Sequence, residues 1–476
     1  MTTPQNSADV RPAATTAVDA YLRRLCDRGR TGDRLPAVRE LQDRFSVSPV
    51  TVRSVVRRLV MEGRAVTRPG DGTFIARHVA TNLPALDYTW QTVLLGRSTP
   101  IPDGLDHLAN APSPSTLALD NAFPDASLQA QDLLARSTTR VAKRTEAWDR
   151  CHPQGIDELR SVFAAEVGYP FTNDNVLITP GAQAALDSIF RTLARPGDAV
   201  VLEDPCYPGA IVAATLGGLI PAPVPTDDHG VLPVALAAVL QRTGARLVVL
   251  QPRHANPTGS ILSAERRRDV LAIAAEFGCF IVEDDWVRDL DLDGPTGPPL
   301  LVDDTNGHVL YIRSLSKSAA PGVRVAAVIG RGPALARLTS ARLAADFFVA
   351  PLLQAAAADL LLSSPWQRHL TTMRNALADR RNVLVDSLAT YAPALTCRPP
   401  RGGVALWVAL PPDVTDVALV AACAGRGVRI APGRNFWLSE PTGSYVRMAF
   451  SSASSASLAI AAQRIGLALT ETTRAT

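Results

Sequence analysis

Two side-chain primary amines are present among 48 basic residues, Lys143 and Lys317, so any chemistry that requires a lysine has two candidates. A genome rich in G and C can produce the same scarcity without a functional cause. Lys317 has the more reactive surroundings. Ser314 and Ser316 precede it and Arg324 follows, so hydroxyls and a guanidinium flank one amine. That grouping makes a phosphate cradle with a nucleophile beside it. Asp284, at the end of FIVED, can face a protonated ring nitrogen, and Asn256, in HANPTG, can donate to a ring hydroxyl. Gly181, Ala182 and Gln183, in TPGAQAALDSI, sit at a turn into a helix and offer backbone N–H groups to an anion. Tyr207, in EDPCYPG, can stack on a ring face. A lysine amine, an acid for a pyridinium and donors for a phosphate are what pyridoxal 5'-phosphate requires.

These residues need a frame that brings them together. The runs AVVLEDP, RLVVLQP, CFIVEDD and VLYIRSLSK read as strands, with helix-like stretches between several of them. That alternation predicts an α/β domain with a mostly parallel sheet. In such sheets ligands sit at the C-terminal ends of strands. The candidate residues follow those ends.

The N-terminus reads differently. Residues 12–28 and 38–45 predict helices. In SVSPVTVRSVVRRLVMEG, Ser48 suits an N-cap and Pro49 the first helical position. Val52, Val55, Val56 and Leu59 make one buried stripe, leaving Thr51, Arg53, Ser54, Arg57 and Arg58 outside. Helix, turn, helix with arginines on the outer face is a layout that enters the major groove of double-stranded DNA. AVTRPGDGTFIA then predicts a hairpin whose tip glycines permit close approach, a wing. Residues 1–80 hold 14 Arg and 8 acidic residues, a basic head on a chain whose total charge is +3. Between head and body, residues 79–115 are rich in proline, serine and small polar residues. They read as a tether, interrupted by the amphipathic piece YTWQTVLLG, which is expected to dock on the body.

The stretch from Gly32 to Ala76 resembles the winged helix of the GntR family. The resemblance implies DNA contacts from Arg39, Thr51, Arg53 and the wing around Gly72, to which the outer helix face adds Arg57. From about residue 116, the strings ITPGAQ, EDPCYPG, NPTG, VEDD, SLSKSAAPGVR, RGGVALWV and YVRMAFS resemble the class I/II aminotransferases of PLP fold type I. That likeness implies Lys317 as the Schiff-base lysine and Arg447 as the clamp on a substrate or effector carboxylate. A GntR head on such a body is similar to the MocR/GabR regulators, which implies a homodimer sensing an amino-compound effector or PLP itself. The resulting division is a winged-helix domain over 10–78, a linker over 79–115 and an aminotransferase-like domain over 116–470.

Two positions depart from the family pattern. Trp286 stands two residues after the pyridinium aspartate, where a tyrosine is usual. Arg150 takes another usual tyrosine position, where it can contact phosphate or only solvate the surface. Both weaken efficient transamination more than they weaken cofactor binding. Three readings therefore stand: a regulator, an active aminotransferase with an accessory DNA-binding head, and a DNA-binding scaffold without cofactor. No apolar stretch is long enough to span a membrane, and the N-terminus lacks a signal-peptide core, so a cytoplasmic protein is expected. The six scattered cysteines predict neither a metal site nor a disulfide framework.

Overall fold

The computed structural model of the chain describes residues 10–76, 87–95, 113 and 115–475. The chain divides into two compact units, residues 1–98 and 99–476.

In the first unit, α1 (Val10–Arg28), α2 (Val38–Phe45) and α3 (Pro49–Met61) precede the hairpin of β1 (Ala65–Arg68) and β2 (Gly72–Ile75). The cap of α3 is as expected. The Ser48 hydroxyl accepts from Thr51 N–H at 3.2 Å, and Pro49 opens the helix. Val52, Val55 and Leu59 are buried against Val18, Leu22, Leu41, Ala65 and Ile75, while Val56 is half-buried at the edge of that core. The hairpin register pairs Arg68 with Gly72 and so places Pro69-Gly70-Asp71 at the tip. Of the expected tether, residues 77–86, 96–112 and 114 lie outside the described residues. The piece Thr89–Leu95 is helical with no buried side chain, and Trp90 is 61% exposed.

In the second unit, β3 (Leu117–Ala118) leads into the body. Among the described residues the central sheet has eight strands: β4 (Val176–Thr179), β5 (Ala199–Asp204), β6 (Ile220–Asp227), β7 (Gly230–Val231), β8 (Leu247–Leu250), β9 (Phe280–Asp285), β10 (Val309–Ser314) and β11 (Ala326–Ile329). Their order is β4-β11-β10-β9-β8-β5-β6-β7. The pairs from β6 through β5, β8 and β9 to β10 are parallel, while β11 runs antiparallel to β10 and β4. All four strand runs read from the sequence lie in the parallel part. Their apolar runs are continuous because helices cover both sheet faces, as the two apolar clusters on the sheet require.

A smaller sheet follows, built from β12 (Thr396–Cys397), β13 (Ala405–Ala409), β15 (Ala431–Pro432) and β16 (Tyr445–Ala449), in the order β12-β13-β16-β15. The short β14 (Val428–Arg429) pairs in parallel with β3. This sheet shares a third apolar cluster with the helices Ser364–Tyr391 and Ser455–Ala475. Its strands and β3 bring Arg447, Arg429 and Asp120 toward the C-terminal ends of β8, β9 and β10.

Candidate functional site

A cavity of about 370 Å³ opens at those strand ends. Lys317 follows β10, with its Nζ 3.7 Å from the centroid of the Phe123 ring. Loss of hydration lowers its pKa to about 7, with Arg447 and Arg324 adding repulsion and Asp284 opposing them. A substantial fraction of the amine is therefore neutral, and nucleophilic, near neutral pH.

Asp284 lies on β9, level with Ile312 of β10. Gln251, just past β8, donates from Nε2 to Asp284 Oδ2 at 2.7 Å and accepts at Oε1 from Asn256 N–H at 2.8 Å. Burial raises Asp284 to about 6, with the Gln251 hydrogen bond pulling the other way. Its Oδ1 is buried and has no partner among the described residues. An open acceptor of this kind, on a carboxyl group that burial leaves partly protonated, is completed by a protonated ring nitrogen.

The phosphate end is shaped by Gly181, whose φ is +102°. A Cβ there would stand 2.4 Å from Arg324 Nη2, so only glycine lets that guanidinium lie over the turn. Arg324 Nη2 donates to Pro180 O at 2.8 Å. The N–H of Gly181 is committed to Thr179 O at 2.8 Å, so of the three expected N–H donors only Ala182 and Gln183, in the first turn of the helix Ala182–Leu193, lack a partner within that helix. Gly181 contributes room instead. Ala182, Gln183, Ser314, Ser316 and Arg324 all line the cavity. Tyr207 lines it too, its ring folded over Gly209, where a Cβ would meet the ring at 2.3 Å.

Arg447, on β16, is 4% exposed. Its Nη2 donates to Asp120 O at 2.7 Å and its Nη1 to Asn256 Oδ1 at 3.1 Å. Its Nε is buried without a partner among the described residues. Burial lowers its pKa to about 10. The guanidinium is fixed by two neutral acceptors and retains a donor for an anion.

The structure therefore gathers Ala182, Gln183, Tyr207, Asn256, Asp284, Ser314, Ser316, Lys317, Arg324 and Arg447 on one cavity, with Gly181 beside it. Sequence reasoning missed Gln251, Phe123, Asp120 and Arg429. Gln251 was findable, since it ends a strand run as Asp284 does. The other three come from segments distant in sequence and carry no local signal. Trp286 lines the cavity, but its indole N–H donates to His254 O at 3.1 Å. Arg150 is exposed and lies outside the cavity wall.

On the first unit, Arg39, Arg53 and Arg57 are exposed, and none has a hydrogen-bond or ion-pair partner among the described residues. Other arginines of the head are held internally. Arg23 binds Asp19 and Glu62, and Arg64 binds Asp27. Thr51 Oγ1 shares a hydrogen bond with Ser48 Oγ at 2.9 Å. Gly72, with φ +125°, lies against the Arg34 guanidinium, 3.0 Å from where its Cβ would stand.

The family profile of class I and II aminotransferases matches residues 120–465. The chain belongs to that family. Ahead of its aminotransferase domain, residues 15–75 match bacterial regulatory proteins of the gntR family, so a GntR-type helix-turn-helix and an aminotransferase fold stand in one chain. The same two-part architecture extends to regulators of similar length. An HTH-type transcriptional regulator of Bacillus subtilis, YdfD, is 28% identical over 448 residues, covering 92% of each chain. The HTH-type transcriptional regulator TauR of Rhodobacter capsulatus is 27% identical, covering 98% of this chain and all of TauR. Among solved structures, the α-aminoadipate aminotransferase LysN of Thermus thermophilus, complexed with N-(5'-phosphopyridoxyl)-L-leucine, matches with a TM-score of 0.74 and 26% identity. That match covers 82% of this chain and all of LysN. No helix among the described residues is long and apolar enough to cross a membrane.

Proposed function

We propose that this aminotransferase-family chain is a cytoplasmic, homodimeric transcription regulator that binds double-stranded DNA through its winged helix. In this reading its second unit holds PLP on Lys317 and responds to a small amino compound. The observation that carries the reading is the convergence on one cavity of a buried lysine amine of lowered pKa and a carboxylate with an open, buried oxygen. When bound, PLP supplies an aldehyde that reacts with primary amines and a ring that withdraws electrons when its nitrogen is protonated.

The chain's own residues would divide the work as follows. Lys317 provides the primary amine. Asp284, steadied by Gln251, holds a proton on the ring nitrogen. Arg324, Ser314, Ser316 and the first turn after Gly181 bind phosphate. Asn256 keeps its amide N–H₂ for the ring hydroxyl while its carbonyl orients Arg447. Arg447 grips the carboxylate of the amino compound, and a ligand gripped more strongly in one state shifts the population toward it. Arg39, Thr51, Arg53, Arg57 and the wing at Gly72 would contact DNA. The Trp286 indole N–H is committed to His254 and so is not free to donate to a bound cofactor, which favours sensing over rapid transamination.

The test is chemical. After addition of PLP and reduction with borohydride, the cofactor mass is expected on the peptide that contains Lys317, and Lys317→Ala is expected to lose it. An adduct on Lys143, or none, overturns the reading. Keto-acid release near a typical enzyme turnover of about 10 per second would instead favour the aminotransferase reading.

A further inference from the structure

Among the described residues the charged groups around the cavity are Lys317, Asp284, Arg324, Arg447, Asp120 and Arg429. The proposed function, on which this inference rests, uses the first four. The remaining two are committed to each other. Arg429 Nε donates to Asp120 Oδ2 at 2.7 Å, and its Nη2 lies closer still to the same oxygen. Asp120 is 5% exposed, and its Oδ1 is enclosed with no partner among the described residues. The same residue's backbone carbonyl holds Arg447. Asp120 therefore neutralises one guanidinium and orients the other. The wall near this pair is apolar, formed by Val420, Ala424, Ile430, Pro432 and Phe436.

We infer that the effector is an amino acid with one carboxylate and an uncharged, apolar side chain, selected by the Asp120–Arg429 pair. Among the described residues a second carboxylate on the ligand finds no unshared guanidinium on this wall, because Asp120 holds Arg429 and the ligand's first carboxylate takes Arg447. An unpaired charge in a desolvated site opposes binding strongly. A second ammonium meets Arg429 and Arg447, both cationic, while the carboxylate that could pair with it is enclosed and already bound. An apolar side chain displaces water from Val420, Ile430 and Phe436 at no such cost.

The test titrates PLP-loaded full-length protein with L-leucine, L-phenylalanine, L-glutamate and L-lysine and reads the change in cofactor absorbance. Leucine or phenylalanine is expected to half-saturate at a concentration at least about tenfold below glutamate and lysine, about 1.4 kcal/mol. Glutamate or lysine acting at equal or lower concentration overturns the inference while leaving the sensing reading intact. No response to any amino compound overturns both. Asp120→Asn keeps the backbone carbonyl that holds Arg447 and releases Arg429. In that variant the ratio of glutamate to leucine affinity is expected to rise at least about tenfold, and an unchanged ratio removes the pair as the selecting device. If Asp120→Asn does not fold, the four-ligand series on the native chain decides the inference by itself.

Discussion

At the scale of single residues, the cavity sets protonation against habit. Lys317 is lowered from 10.5 to about 7 and Asp284 is raised from 3.8 to about 6, both chiefly by burial. Covalent loading of PLP needs the neutral amine, so the loading rate is expected to climb between pH 6 and 8 and level off above. A lysine with its ordinary pKa would keep gaining beyond pH 10. Stopped-flow absorbance across pH checks this, and a rate still rising steeply above pH 9 contradicts it. The same shifts act on the stability of the cofactor-free protein. Between about pH 7 and 10.5 the unfolded chain binds more protons at Lys317, so this residue's contribution makes stability rise with pH. Asp284 acts oppositely between about pH 4 and 6, where the folded chain binds the extra proton.

At the scale of elements, chemistry depends on how strands and helices end. The turn after β4 is tight enough that Gly181 alone fits beneath Arg324. Gly181→Ala adds a Cβ at positive φ and pushes on the guanidinium. It is expected to weaken PLP binding at least about tenfold, with a smaller loss in Tm. Titration of the variant by absorbance decides, and unchanged affinity would mean that Arg324 can move aside without loss. These elements were largely legible in the sequence, because each rests on local grammar: Ser48 and Pro49 for the helix start, Pro69-Gly70-Asp71-Gly72 for the hairpin, and uninterrupted apolar runs for β5, β8, β9 and β10. The helix around Trp90 is legible in the same way, from its amphipathic spacing.

At the scale of the whole molecule, the proposal joins two activities, and the link is thermodynamic. An effector can alter DNA affinity only if it binds one state better than the other, and DNA must then alter effector affinity by the same factor. Arg447→Ala is expected to abolish the effect of amino compounds on DNA binding while leaving effector-free DNA binding unchanged. Retained coupling would assign the carboxylate contact elsewhere. Arg57, exposed and unpaired, is expected to add one phosphate contact. Arg57→Gln should lower the slope of log affinity against log salt by about 0.9, and an unchanged slope removes it from the interface. Arg23, which is held by Asp19 and Glu62, should leave that slope unaltered when substituted.

The sequence by itself determined the two-part division, the sheet strands that lead to the site and most of the polar side chains that line the cavity, since those properties reside in short-range pattern and side-chain type. Only the tertiary structure decided which groups meet. Asp120 and Arg429 are separated by more than three hundred residues in the chain, yet they form an ion pair on the cavity wall because β3 lies beside β14. Gln251 bridges Asp284 and Asn256 because β8 neighbours β9. The Gly181 N–H is committed to Thr179, and the Trp286 indole to His254. Spacing along a chain reports which residue types recur, whereas a hydrogen bond depends on distance and direction in space, and those arise only when separate elements pack.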